Sequence, residues 1–148
     1  MALRKPLVLN AGEIQQLQAG DTLDAVVTET EQQLFTNGDA GAHALGDAVY
    51  ISAADTVKKA QANAATTKEF IAFATGAISN GAVGTYQTDG SLAGLAGLTP
   101  GAVYYLSPTT PGQMTTTAPS TVGQYVVRLG IANSATEFTI EKSRPILL

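Results

Sequence analysis

An internal repeat at a spacing of 55 residues constrains the fold of this chain more than any other feature of its sequence. A shift of 55 positions without a gap superimposes the apolar pattern of residues 46–85 on that of residues 101–140. The clearest matches are Gly46 with Gly101, Tyr50 with Tyr105, Ser52 with Ser107, and Phe70-Ile71-Ala72 with Tyr125-Val126-Val127. The sequence therefore predicts two copies of one structural unit, each beginning with Gly-x-x-x-Tyr, then Ile or Leu, then Ser.

Each copy contains runs of β-branched and aromatic residues of strand length, at residues 48–51, 70–73, 103–106 and 125–129. Between such runs lie Asn37-Gly38, Asn80-Gly81 and Asp89-Gly90, which predict tight turns with positive φ. Residues 53–68 are rich in helix formers without an apolar stripe, and their place in the repeat favours a strand and a loop. The glycine-rich segment 90–97 is interpreted as a flexible loop that joins the copies. For residues 12–18 the sequence leaves a helical turn and a short strand open.

Neither unit is large enough to bury a core alone, so we expect the two to pack together. The predicted fold class is all-β, a small β-barrel or sandwich built from two pseudo-repeated β units with extended N- and C-terminal arms. The predicted boundaries are an N-terminal arm at 1–25, a single β domain at 26–141 and a C-terminal arm at 142–148. Only 14% of the residues are charged, which does little to protect exposed sheet edges, so we expect the chain to oligomerise.

Charge and composition argue against several classes of function. The net charge is −4 and the pI is about 4.7, and we expect no nucleic-acid partner. Without cysteine and with one histidine, the usual structural zinc site is excluded, and we expect no metal and no cofactor. No apolar run approaches the ~18 residues of a membrane-spanning helix, so no membrane partner is expected. The apolar stretch near the N-terminus is too short for a signal peptide, and we expect the mature protein to be the whole chain.

The usual catalytic patterns are also missing, and we expect no enzyme activity. Any Ser-His-Asp arrangement would have to use His43, which stands among small residues and is interpreted as a solvated loop histidine. The pairs Asp21 with Asp24 and Glu29 with Glu31 are too sparse for a calcium loop or a glycosidase pair, and a solvated face is favoured. The tyrosines that alternate within apolar runs are interpreted as core or interface residues rather than a sugar-binding platform; they are Tyr50, Tyr105 and Tyr125.

Several segments resemble structural proteins of tailed bacteriophages. Lys5-Pro6-Leu7-Val8-Leu9, followed by residues 12–23, is similar to a leader found on tail-fibre and head-associated phage proteins. Residues 98–108 and 123–130 resemble the core of the same virion proteins, and the Gly-Asp-x-Val-Tyr unit at residues 46–50 resembles small capsid decoration, or cement, proteins. The resemblance implies a β-rich protein, commonly a homotrimer, on the outside of the head or on the tail. It also implies a location on the capsid surface of the virion, and in the host cytoplasm during assembly.

Three functions remain open at this stage. The first is a decoration protein whose partners are the major capsid protein and its own copies, with no small-molecule ligand. The second is a tail-fibre or tail-adaptor component involved in host attachment, and the third is a small carbohydrate-binding module. The chain has no collagen-like stalk and is short for a fibre, which favours the first. The proline- and threonine-rich segments 107–112 and 115–119 are interpreted as rigid surface loops or as contact loops.

The suspected interface residues lie near the two ends of the chain; they are Leu7, Val8, Leu9, Pro145, Ile146, Leu147 and Leu148. Our hypothesis is that these apolar arms dock on adjacent subunits or on the shell. The alternative is that both ends fold back as edge strands of their own domain.

Overall fold

The computed structural model describes residues 31–148 and, before them, only the backbone of two short strands. All regular secondary structure in this part of the chain is β-strand, which confirms the predicted all-β class. The strands are β1 Leu7–Asn10, β2 Glu13–Gln16, β3 Gln32–Asn37, β4 Ala48–Ala53, β5 Thr56–Lys59, β6 Ala72–Ala74, β7 Val83–Gln87, β8 Ser91–Ala93, β9 Val103–Leu106, β10 Met114–Thr115, β11 Tyr125–Val126, β12 Arg128–Ala132, β13 Glu137–Ile140 and β14 Ile146–Leu147. Strands β1 and β2 form an antiparallel hairpin, and β11 pairs antiparallel with β14.

The first large sheet is a closed barrel with the strand order β3-β5-β4-β6-β7. Strand β3 lies antiparallel to β7 along five residue pairs, from Gln32↔Gln87 to Thr36↔Val83. Its last two residues also pair in parallel with β5, through Thr36↔Thr56 and Asn37↔Val57. This short parallel contact closes the barrel and leaves it without a free edge.

The second large sheet has the order β10-β9-β12-β13-β8, which repeats the strand order of the barrel. The correspondence between the two sheets pairs β5 with β10, β4 with β9, β6 with β12, β7 with β13 and β3 with β8. The registers of the two sheets differ, however. In the barrel Tyr50 pairs with Lys58, and a shift of 55 residues would place Gln113 opposite Tyr105. In the second sheet Tyr105 pairs with Thr115 instead. Strands β8 and β10 do not pair with each other, so this sheet stays open.

The second sheet stays open because of the course of the chain after β8. Strand β8 has three residues, half the length of β3, and Gly94 follows it with φ +84. The backbone N–H of Leu95 then donates to Thr136 O at 3.1 Å, and that of Leu98 donates to Ala135 O at 3.2 Å. These bonds hold the chain against the turn between β12 and β13 and away from β10.

The described residues form two apolar cores, and the barrel and the second sheet both contribute to one of them. The smaller core fills the barrel, and its buried members are Phe35, Val49, Val57, Ala72, Ala74, Ile78 and Tyr86. The larger core joins the barrel to the second sheet, because Phe73 of β6 packs edge-to-face on Phe138 of β13 with ring centroids 5.6 Å apart. Tyr104 contacts the same Phe138 ring at 5.8 Å. An aromatic pair, Phe73 with Phe138, thus forms part of the contact between the two units.

Several local predictions are corrected by the structure. The segment 90–97 is not simply a flexible loop, because it begins with β8, which pairs with β13. Gly81 and Gly90 have the predicted positive φ, but Gly38 does not. The apolar run at 125–129 is divided between β11 and β12, and residues 13–16 of the ambiguous N-terminal segment form strand β2.

Candidate interaction surfaces and a buried histidine

The C-terminal residues form a short strand at the edge of the molecule. Tyr125 and Val126 of β11 pair with Leu147 and Ile146 of β14. The N–H of Leu148 donates to Gln124 O at 3.0 Å, and the N–H of Gly123 donates to Leu148 O at 3.0 Å. Strand β11 is in turn bonded to the segment between β5 and β6, because the N–H of Tyr125 donates to Ala62 O at 2.9 Å. The backbone of the chain end is therefore held in place.

The side chains of this strand face solvent. Ile146 is 62% exposed, Leu147 60% and Leu148 39%. Val122, in the turn before β11, is 88% exposed. We call these four residues the C-terminal edge. Ile146 and Leu147 are consecutive residues of a strand and point to opposite faces, so both faces of this edge expose an apolar side chain that a partner can contact.

The predicted interface residues are thus only partly brought together. Ile146, Leu147 and Leu148 lie together on the C-terminal edge, with Pro145 half-buried beside them. The backbone of β14 pairs with β11 in a two-stranded sheet that is separate from the barrel and from the second sheet, and its side chains are exposed. Leu7, Val8 and Leu9 lie in β1, and their side chains are outside the described residues, as are residues 1–6 of the predicted N-terminal arm.

A second apolar surface lies on the outside of the barrel. Leu34 on β3 is 67% exposed and Val83 on β7 is 64% exposed. The register pairs Leu34 with Thr85 and Thr36 with Val83, so these four side chains share one outward face, which we call the barrel face. The sequence analysis did not identify this face. It could have been found from the alternation Leu34-Phe35-Thr36-Asn37, in which only the second and fourth residues are buried.

A cleft of about 360 Å³ opens in the second sheet where the barrel is closed. Its walls come from the chain after β8, from the start of β10 and from the loop before β4. None of the described residues that line it is charged; the larger side chains are Leu45, Leu95, Leu98, Tyr104 and Met114. We call it the β8–β10 cleft.

The loop between β3 and β4 contains a buried, hydrogen-bonded histidine, His43, which corrects the prediction that this residue is solvated. His43 is 1% exposed. Its Nδ1 lies 2.8 Å from the Tyr86 hydroxyl and its Nε2 lies 2.9 Å from Asp39 Oδ2. An ionised carboxylate only accepts, so Nε2 donates to Asp39, and in the tautomer with the proton on Nε2 the Nδ1 atom accepts from the Tyr86 O–H.

The polar network continues through two carboxylates. Asp39 Oδ2 also accepts the backbone N–H of Lys59 at 2.7 Å. Asp47 accepts the N–H of Ala44 at 2.8 Å and forms an ion pair with Lys59 Nζ at 2.9 Å. Burial raises the pKa of Tyr86 to about 12, and the negative charges of Asp39 and Asp47 act in the same direction.

The order Tyr86, His43, Asp39 resembles a nucleophile, base and acid, but its environment gives it a structural role. The Tyr86 side chain is 0% exposed, so no substrate reaches its hydroxyl, and its pKa moves away from that of an activated nucleophile. The backbone of His43 also exchanges two hydrogen bonds with Ile78, at 2.9 and 3.0 Å. The network therefore fixes the loop between β3 and β4 against the barrel wall.

The remaining sequence candidates are dispersed. Tyr50, Tyr105 and Tyr125 are all half-buried, and Tyr50 and Tyr125 pack against the larger core. The threonine- and proline-rich segments border a shallow groove of about 300 Å³. Asp21, Asp24 and Glu29 lie outside the described residues, and within the described ones no cluster of three His, Cys, Asp or Glu side chains has the arrangement of a metal site.

Three comparisons with known proteins gave no match. No protein-family model, no curated protein and no solved structure matches this chain. In the part of the chain that the structure describes, no helix has the length and apolar character needed to cross a membrane.

Proposed function

We propose that the chain is a bacteriophage capsid decoration protein that binds the outside of the head and stabilises contacts between capsomers. The observation that carries the proposal is the C-terminal edge, where Val122, Ile146, Leu147 and Leu148 expose apolar surface on a strand whose backbone is fixed. A small protein that keeps such a surface exposed is suited to assembly with a partner. The resemblance of the leader and of residues 98–108 to phage virion proteins supports the same proposal.

A decoration protein requires two kinds of contact, one with its own copies and one with the shell. Among the described residues, the C-terminal edge and the barrel face are two exposed apolar surfaces that could make these contacts. We assign the shell contact, with the major capsid protein as partner, to the barrel face around Leu34 and Val83, because a closed barrel presents a rigid surface without free backbone groups. Stabilisation of the head would then come from apolar area buried at many symmetric positions, with no chemical step.

The first test is immunogold electron microscopy of the virion with an antibody against this chain. Label distributed over the head is the expected result. Label confined to the tail would replace the proposal with the second candidate below, and particles without any label would overturn both.

The second test asks whether the barrel face is the surface that contacts the shell. Heads that lack the protein are mixed with the purified chain and sedimented. The Leu34→Asp variant places a charge on the barrel face and should lose binding at least about tenfold, because a charge would be desolvated in the contact. Thr116→Asp adds the same charge at an exposed loop position away from the barrel face and should bind like the unmodified chain. Equal binding of both variants would exclude the barrel face as the shell contact.

One observation favours the second candidate, a tail component that contacts the host surface. The groove of about 300 Å³ beside the proline-rich segments is bordered mainly by hydroxyl-bearing and small side chains, including Ser107, Thr115 and Thr121. Hydroxyl groups both donate and accept hydrogen bonds, as the recognition of a polar cell-surface ligand requires. Tail label in the electron microscopy experiment would make this groove the first target for substitution.

A further inference from the structure

Positive charge borders the C-terminal edge. Three of the six Lys and Arg side chains between residues 31 and 148 lie beside it; they are Lys68, Lys142 and Arg144. Lys68 lies over the ring of Tyr125 in β11, with Nζ 5.0 Å from the ring centroid, and is paired with Glu69. Lys142 and Arg144 precede β14 by four and two residues, are exposed, and form no ion pair with a carboxylate among the described residues. The exposed apolar groups of this edge are therefore accompanied by two uncompensated cations.

The barrel face is bordered by carboxylates at both ends. Glu31 directly precedes β3, and its carbonyl oxygen accepts the backbone N–H of Asp89 at 3.4 Å, so both lie at one end of the face. At the other end the N–H of Thr36 donates to Asp55 O at 2.8 Å. The three acidic residues are exposed, and none forms an ion pair with a described cation. Lys58 of β5 lies beyond the end of β3, so the border of the barrel face carries more negative than positive charge.

We propose that the C-terminal edge of one copy docks on the barrel face of a second copy of the chain. Strand β14 stays paired with β11, and the contact is made by side chains. Ile146 and Leu147 expose apolar groups on one surface, and Leu34 and Val83 expose them on the other. The borders of the two surfaces have opposite charge, so docking buries apolar area and brings the cations of the edge to the carboxylates of the face.

Charge favours this arrangement over the two symmetric ones. Two C-terminal edges that faced each other would bring together Lys142 and Arg144 of both copies. Two barrel faces in contact would bring together the carboxylates that border them. Like charges facing each other across an interface are unfavourable. The contact is therefore heterologous, between two different surfaces, and repeated contacts form a ring when the rotation between copies closes it.

This self-association goes beyond the proposed function, but it has a consequence that rests on that function. The barrel face is the surface that we assign to the shell. A copy bound to the shell keeps its C-terminal edge free and can hold a second copy there. A copy whose barrel face is occupied by another edge cannot bind the shell. Free copies and the shell therefore compete for the same face.

The experiment changes the charge of each surface in the full chain. Lys142→Glu with Arg144→Glu makes the edge acidic, and Glu31→Lys with Asp55→Asn removes the negative border of the face. Light scattering coupled to size-exclusion chromatography reports the mass, which is 15.2 kDa for one copy. The unmodified chain should associate at low salt, and each double variant should be monomeric. The association constant of the unmodified chain should fall at least about tenfold between about 0.05 and 0.5 M salt.

The decisive sample is an equal mixture of the two double variants. There the acidic edge of one variant meets the recharged face of the other, and the unaltered edge meets the unaltered face. Association should therefore return in the mixture although neither variant associates alone. Three results would each overturn the proposal. They are a mixture that stays monomeric, an edge variant that assembles like the unmodified chain, and an unmodified chain that is monomeric at every concentration.

Matched controls separate docking from misfolding and from a general effect of charge. Lys142→Arg with Arg144→Lys keeps the charge and should preserve association. Ala135→Glu adds a negative charge in the exposed turn between β12 and β13, outside both surfaces, and should preserve it too. Asn tolerates the φ of 49° at Asp55, so Asp55→Asn alone repeats the test with Glu31 unchanged and should show a smaller loss. All variants should unfold at the same urea concentration when measured as monomers.

Binding to heads that lack the protein distinguishes failure of this proposal from failure of the proposed function. The double variant at Lys142 and Arg144 keeps its barrel face and should bind such heads at least as tightly as the unmodified chain, because its copies do not compete for that face. Weaker binding would overturn the competition. A chain that labels heads but never associates would leave the decoration function intact. A chain that associates as described but labels no particle would leave the self-association intact.

Discussion

The barrel and the open sheet have the same strand order but different interiors. In the barrel, Asp39, His43 and Asp47 belong to a buried polar network that fixes the loop after β3. At the repeat spacing of 55 residues these positions become Gly94, Leu98 and Ala102 in the second sheet. Gly94 and Leu98 line the β8–β10 cleft. One unit thus combines closure with charged and polar contacts, and the other combines an open edge with a cleft that no charged side chain lines among the described residues.

This difference shows how a repeated unit can be specialised without changing its topology. Buried polar groups that are fully hydrogen-bonded specify one arrangement, because any displacement leaves a donor or acceptor unpaired at a large energetic cost. The apolar residues of the second copy impose no such directional requirement. They leave a cleft beside a sheet whose end strands, β8 and β10, do not pair with each other.

The largest loss of stability is expected from a substitution of Gly130 in β12 of the open sheet. A Cβ atom there would lie 1.9 Å from the Thr139 carbonyl oxygen of β13, and the backbone has φ +155. Gly130→Ala should therefore lower the free energy of unfolding by at least about 3 kcal/mol, since the ladder between the two strands must separate. Urea denaturation followed by far-UV circular dichroism measures this loss. Gly76→Ala, for which no atom lies within 4 Å of the added Cβ, serves as the control and should change stability little.

A smaller effect tests the polar interior of the barrel. Tyr86→Phe removes the hydroxyl that binds His43 and leaves a buried ring nitrogen without a partner, at a cost of about 1–3 kcal/mol. In the second sheet, Tyr104→Phe removes a hydroxyl that accepts the N–H of Thr99 at 2.9 Å. Because the backbone there is partly accessible to water, the loss should be below about 1 kcal/mol. Equal losses in the two variants would contradict the distinction between the two interiors.

A third expected effect is a pH dependence that Tyr86 confers on the barrel. The pKa of Tyr86 rises from 10.0 to about 12 on folding, mainly through burial. The protonated phenol is therefore favoured by the folded state, and its contribution to stability is complete below pH 10 and lost as the pH rises towards about 12. Denaturation at several pH values in this range should show a steeper decline for the unmodified chain than for Tyr86→Phe. Parallel curves would indicate that Tyr86 does not cause the decline.

Much of the fold could be predicted from the sequence because strand signals are local. The alternation of apolar and polar residues and the β-branched runs require no knowledge of distant contacts, and they gave the all-β class. The burial of His43 could not be predicted in this way. Its partners Asp39 and Tyr86 become neighbours only when β3 and β7 pair, and a histidine between small residues looks locally like a loop residue.

The candidate interaction surfaces also have some features that are visible in the sequence and others that depend on contacts between distant residues. The apolar character of Ile146, Leu147 and Leu148 is visible in the sequence, but their exposure depends on pairing with β11. Val122 was missed because a single valine in a turn has no periodicity to distinguish it. The β8–β10 cleft was missed because it arises from a contact that is present in one copy of the repeat and absent in the other.

The pairing of the first and last strands in each unit also sets an order of events during synthesis. Strand β3 lies beside β7, so the barrel closes only after Gln87 has left the ribosome, and β8 begins four residues later at Ser91. The barrel is then complete while the second sheet is still being made, in keeping with the N-terminal-first folding of nascent chains. Until Phe138 emerges, Phe73 has only the neighbouring ring of Phe70, at 4.7 Å, and lacks the ring of the second sheet that packs on it in the finished fold. The finished barrel therefore serves as the template on which the second unit folds, and a pause in translation after residue 87 would lengthen the time during which that apolar surface is open to aggregation.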